Sequence, residues 1–203
     1  MVYIKSDEHA ELEIHKSRFI GVIFPVSSKD ELKMLIDSLK TKYPKANHYC
    51  YAAVMGDQGD MHMASDDGEP QKTAGVPILD VIKHHQLTNV CVVVIRYFGG
   101  IKLGSGGLIR AYAKSASLVV SKAKRYDKKV FDVYEITFNY HLIDTMTQFF
   151  NEKAMITEKT FLKDVSFRVI FNASSASILD DIKHLLLHVK PLTPEVFYIP
   201  HQS

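Results

Sequence analysis

The sequence predicts an α+β chain built from two units. Three observations carry that prediction. Residues 130–199 run strand, helix, strand, strand, helix, strand in hydrophobic period. Val90-Cys91-Val92-Val93-Val94-Ile95 is apolar without alternation and leads through a glycine-rich loop into a long amphipathic helix. Charge is split: residues 1–130 carry 19 Lys and Arg against 14 Asp and Glu, whereas residues 131–203 carry 6 against 9. The boundary is expected in the charged stretch Ala123-Lys124-Arg125-Tyr126-Asp127-Lys128-Lys129, giving units of 1–128 and 129–203.

In the first unit, Ser17 to Val26 reads as a strand rich in Phe, Ile and Val, with Pro25 near its end. Ser28 followed by Glu31 has the spacing of a capping box, and Leu32, Leu35, Ile36 and Leu39 recur at helical period until Tyr43-Pro44. His48 to Met55 is a second strand, and a turn-rich loop passes through Gly56, Gly59 and Gly68. Ala74 to His85 reads as a helix with Pro77 tolerated in its first turn. The run Val90–Ile95 suits a strand covered on both faces. The helix from about Gly106 to Arg125 puts Leu108, Ile109, Tyr112, Ala116, Val119 and Val120 on one face. Arg110, Lys114, Ser121 and Arg125 fall on the other.

In the second unit, Val130–Tyr140 is a strand and His141–Glu152 a helix. Met155–Leu162 and Val165–Asn172 are strands, Ser174–Val189 a helix and Thr193–Ile199 a last strand. That βαββαβ order is the ferredoxin-like plan.

The composition excludes several classes. With 46% hydrophobic and 24% charged residues among 203, the chain is neither disordered nor fibrous. No apolar run reaches the ~18–20 residues a membrane helix needs. The first residues lack a secretory pattern, and Cys50 and Cys91 make no disulfide framework. A cytoplasmic protein is expected.

Chemistry concentrates in two loops. Arg96-Tyr97-Phe98-Gly99-Gly100-Ile101-Lys102-Leu103-Gly104-Ser105-Gly106-Gly107-Leu108-Ile109-Arg110 carries a strand through glycines into a helix. Glycines allow close backbone approach, and the first helical N–H groups lack internal partners. With the helix dipole they make an anion site at Gly104, Ser105, Gly106 and Gly107, to which Arg96, Lys102 and Arg110 add charge and which Lys114 and Arg125 extend. The alternative is that these glycines serve only a tight turn and close packing. Neither the P-loop nor the dinucleotide-binding spacing is present.

The second loop is Ser65-Asp66-Asp67-Gly68-Glu69-Pro70-Gln71-Lys72-Thr73. Asp66, Asp67 and Glu69 could hold a divalent cation, or the loop with Lys72 and Thr73 could contact a partner. Against both stands ordinary turn chemistry, with Thr73 capping the next helix. His48 and Cys50 share one strand face, as a catalytic pair or as packed side chains. Cys91 is expected in the core. No catalytic residue, metal set or resident cofactor is assigned.

Lys16-Ser17-Arg18-Phe19-Ile20, Asn47-His48-Tyr49-Cys50-Tyr51, Ser65-Asp66-Asp67-Gly68-Glu69-Pro70, Thr73-Ala74-Gly75-x-Pro77 and the Arg96-Tyr97-Phe98-Gly99-Gly100 segment resemble the IMPACT/YigZ family. One departure stands at Gln71-Lys72, where the family usually has a small residue and a glycine; it adds a positive charge beside the acidic loop. The resemblance implies an N-terminal α/β domain of the ribosomal-protein and elongation factor G domain IV type. It also implies a ferredoxin-like C-terminal domain similar to elongation factor G domain V. Eukaryotic relatives regulate translation initiation through protein partners, and ribosome or nucleic-acid binding is the usual suggestion for bacterial ones. The expectation is therefore a non-enzymatic protein that touches RNA or the ribosome, without membrane attachment or DNA sequence specificity. The alternatives are a Mg²⁺-dependent enzyme using the glycine-rich loop for a nucleotide, and a protein–protein regulator.

Overall fold

The computed structural model describes residues 1–171 and 175–201. It divides into two compact units, Met1–Lys128 with Tyr198–Ser203, and Lys129–Phe197. The sequence expectation of 129–203 for the second unit thus differs at its end. Tyr198 stacks edge-on against Tyr3, with ring centroids 5.3 Å apart, a contact too distant in sequence to be read from local pattern.

The first unit is an antiparallel sheet with helices on both faces. Its strands are β1 (Val2–Tyr3), β2 (Glu8–Ile14), β3 (Ser17–Pro25), β4 (His48–Met55), β5 (Met61–Ser65) and β6 (Val90–Tyr97). The main sheet has the order β2-β3-β6-β4-β5. Helix α1 (Lys29–Lys42) packs Leu32 and Leu39 on one face, against Ile20, Val22, Phe24, Cys91, Val93 and Ile95. Helices α2 (Gly75–His84) and α3 (Gly104–Lys122) cover the other face, over Val90, Val92 and Val94. Successive residues of β6 therefore enter opposite cores, which is why its sequence shows no alternation.

Local signals explain most of these elements. Ser28 Oγ accepts from the Glu31 amide at 3.2 Å, and the Glu31 carboxylate accepts from the Ser27 amide at 2.8 Å, closing the start of α1. β2 and β3 form a hairpin through His15 and Lys16, at φ 47° and 64°. Two positive φ values match the strand twist that a two-residue turn requires.

Several boundaries move. β2 was not expected, although Ala10, Leu12 and Ile14 alternate with Glu11 and Glu13. The expected loop around Gly59 contains β5, an edge strand whose Met63 packs on the core. Helix α3 begins at Gly104 and ends at Lys122, so Arg125 lies beyond it rather than on its basic back. Ile109 is 43% exposed instead of belonging to the apolar face, which Ala111 and Ser115 complete.

Beyond α3, β7 (Tyr126–Phe138) pairs first with β1, at Asp127 and Tyr126, and from Val133 with β9. The charged stretch expected to be a linker is therefore partly strand. The second unit continues with α4 (Ile143–Lys153), β8 (Ala154–Phe161), β9 (Val165–Phe171), α5 (Ser175–Ile182) and β10 (His188–Pro200). Strands lie in the order β10-β7-β9-β8. Phe138, Phe150, Phe167 and Phe171 dominate its core. Helix α5 is much shorter than the expected reach to Val189. After a 3₁₀ turn at Lys183–Leu185 the Leu187 amide donates to the Thr137 carbonyl at 2.8 Å, and the chain goes on as strand. Sheet pairing overrides local helical pattern there. The expected strand end at Asn172 and helix start at Ser174 lie outside the described residues. Among the described residues no helix is long and apolar enough to cross a membrane.

Candidate functional site

A hollow of about 470 Å³ opens at the start of α3. Asn47 and His48 at the head of β4, Glu69 and Pro70, Arg96 at the end of β6, and Phe98 line one part. Lys102, Leu103, Gly104, Ser105 and Leu108 line the rest.

The wall is fixed by backbone chemistry. A Cβ on Gly99 would stand 2.0 Å from the Lys16 carbonyl, so only glycine lets the loop pass the β2–β3 turn. The Gly99 amide donates to Ser17 Oγ at 3.2 Å, and the Phe98 amide to Asn47 Oδ1 at 2.8 Å. The chain then enters α3 through Gly104 at φ 68°. The N-cap, Leu103, offers no side-chain acceptor, and no acidic residue stands in the first turn. The amides there keep their positive end of the dipole facing the hollow.

Beneath it lies a buried polar group. Arg96 Nη1 donates to Glu69 Oε1 at 2.6 Å, and the Tyr112 hydroxyl donates to the same oxygen at 2.7 Å. Both partners of the ion pair are almost wholly buried, with 6% and 4% of their side chains exposed. Arg96 Nη2 also lies 3.4 Å from Ser17 Oγ, while its Nε has no partner among the described residues. Arg96 therefore shares its charge with Glu69 and serves the site as a floor, leaving Lys102 as the exposed cation of the lining. His48 sits at the edge, with Nδ1 2.8 Å from the Asp67 carbonyl and Nε2 3.9 Å from Glu69 Oε1.

Arg110 is exposed one turn along α3, and its Nη1 lies 3.7 Å from where a Cβ of Gly106 would stand, so it reaches back over the first turn. Gly106 and Gly107 belong to that turn without lining the hollow. Lys114 is exposed farther along α3, and Arg125 lies past the helix end; neither is among the lining residues.

The acidic loop is engaged by its own chain. Asp66 Oδ1 accepts from the Ala74 and Gly75 amides at 3.0 and 2.8 Å, and Oδ2 accepts from the Lys72 amide at 2.8 Å. Burial raises the Asp66 carboxyl, but the Gly75, Lys72 and Ala74 amides outweigh it and hold it below its usual range. Asp67 accepts from the Tyr49 amide at 2.6 Å. Thr73 does not cap α2; its hydroxyl donates to the Pro70 carbonyl at 2.6 Å, and Asp66 does the capping from the loop. Among the described residues no three His, Cys, Asp or Glu side chains converge as a metal centre needs. Cys50 is buried and donates to the Asp66 carbonyl, and burial pushes its thiol up to about 12, so it offers His48 no nucleophile. Cys91 is core.

Sequence reasoning missed Asn47, Pro70, Phe98, Leu103 and Leu108 as lining residues, and Tyr112 as the second donor to Glu69. Asn47, Pro70 and Phe98 stand within the motifs that carry the family resemblance, and Phe98 carried a further signal as an aromatic residue set in a glycine-rich loop.

The model of the Impact N-terminal domain matches residues 15–120, which contain both loops and the whole hollow. The chain belongs to the IMPACT family. The IMPACT family member YvyE of Bacillus subtilis (strain 168) is 43% identical over 136 residues, 67% of this chain and 62% of that protein. The IMPACT family member YigZ of Escherichia coli (strain K12) is 35% identical over 131 residues, 64% of either chain. The matched part thus spans less than two thirds of these curated relatives. A crystal structure of a hypothetical protein aligns with a TM-score of 0.61 at 28% identity, over 95% of this chain and 97% of that one.

Proposed function

We propose that this IMPACT family chain is a non-enzymatic, cytoplasmic binding protein that contacts RNA or the ribosome in the regulation of translation. The observation that carries this reading is the open hollow against the uncapped start of α3, flanked by Lys102 and Arg110. Backbone amides and flexible cations of this kind hold phosphate oxygens without reading sequence. The order β10-β7-β9-β8, built from βαββαβ, supports a ferredoxin-like second domain. The same proposal takes the first domain to be of the ribosomal-protein and elongation factor G domain IV type. Domain limits of 1–128 and 129–203 belong to the same proposal, apart from the return of Tyr198 to the first unit.

The Mg²⁺-dependent alternative gains no support from the acidic loop, because Asp66, Asp67 and Glu69 already accept hydrogen bonds from the chain. A filter assay with ribosomal RNA across a salt series tests the binding reading. Affinity should fall with salt, and Lys102→Ala should lower the slope of log K against log salt by about 0.7–0.9, the share of one phosphate contact. An absence of binding at low salt overturns it.

A further inference from the structure

Phe98 is 46% exposed, yet the backbone that carries it is tied down on both sides, by Asn47 and by Ser17. A ring carried on so fixed a backbone and left so open contributes little to the core. It lines the hollow together with the first residues of α3, and the Arg96 guanidinium lies 5.4 Å from its centroid. The Arg96 side chain is 6% exposed and its Nε is unpartnered among the described residues. The nearby Glu69 charge is matched by Arg96. One concave space therefore joins the exposed Phe98 ring to the uncapped amides that open α3. A base and a phosphate of one nucleotide present the complementary pair.

Resting on the RNA reading above, we propose that the hollow takes a single unstacked nucleotide of an RNA strand. Its phosphate meets the amides at Gly104 and Ser105, and its base lies against Phe98. The protein then prefers single-stranded to double-stranded RNA. A duplex keeps its base faces stacked and offers this hollow only phosphates, whereas an open strand offers both.

The test titrates the full chain at low salt against a labelled uridine-rich RNA, alone and annealed to its complement. The single strand should bind more tightly. Phe98→Ala should weaken single-strand binding by about ten-fold, a typical loss for one stacked base, and leave duplex binding unchanged. Phe98→Trp should keep the preference, since it keeps a π-face. Equal affinity for both forms overturns the inference while leaving the RNA reading standing. Single-strand binding that ignores Phe98 also overturns it and gives the ring to a protein contact instead. Failure of both RNAs to bind overturns the RNA reading and this inference together.

Discussion

The two helices that cover one face of the first sheet begin in opposite ways. At α2 the chain supplies its own anion: Asp66 reaches across the loop and takes the Ala74 and Gly75 amides. At α3 the N-cap is Leu103, no acid stands nearby in the first turn, and the amides face an open hollow. Helix starts of equal polarity are thus closed in one place and left open in another. The closed one explains the acidic motif as architecture; the open one leaves room for a ligand. A carboxylate in a loop is therefore weak evidence for a cation site until the amides it already holds have been counted.

The largest effect is expected at Glu69. Glu69→Ala leaves the Arg96 guanidinium buried without its carboxylate and strips the Tyr112 hydroxyl of its acceptor. Urea unfolding should show a loss of about 3–5 kcal/mol, the usual cost of breaking a buried pair. A loss below 1 kcal/mol would mean the pair is solvated and the floor of the hollow is not built as described.

Asp66→Asn comes next. Removing the charge from a helix start should cost about 0.5–2 kcal/mol near neutral pH, as for other caps. Its folded carboxyl lies below the usual 3.8, so its stabilisation is present above that value and lost as pH falls through the lower folded one. The stability difference between parent and variant should be flat near neutrality and shrink in acid. A difference that grew in acid would reverse the assignment.

The smallest effect sharpens the contrast most. Ser105→Asp puts at α3 the anion that α2 already has. It should raise stability by about 0.3–1 kcal/mol through the dipole while weakening RNA binding at low salt. Stability and binding must move in opposite directions; movement of both the same way would remove the open helix start from the site.

Much of this was legible beforehand. The capping pair Ser28 and Glu31 and the two-sided strand Val90–Ile95 are short-range patterns, and each is found where its pattern put it, whereas the glycine-rich loop gives way to helix two residues early, at Gly104. Other parts were not legible. Nothing near Thr73 in sequence says that its helix is capped by a residue seven positions earlier. Ile109 has the period of the buried face, yet Leu108, Ala111 and Tyr112 take the core side of that turn and leave Ile109 43% exposed. Arg96 reads as a free cation because its partner Glu69 is 27 residues away.

By itself, the amino-acid order settled what depends on neighbours within about one turn: hydrophobic period, capping residues and the glycines that permit positive φ. It also marked the family, through motifs that keep their local spacing. Folding decided which polar groups are used up and which stay open. Asp66 and Cys50 are satisfied or silenced and the Arg96 charge is matched by residues brought from elsewhere, while Phe98 and the α3 amides stay open. The physical reason is that hydrogen bonding and burial depend on distance in space, which strand pairing sets and sequence separation does not.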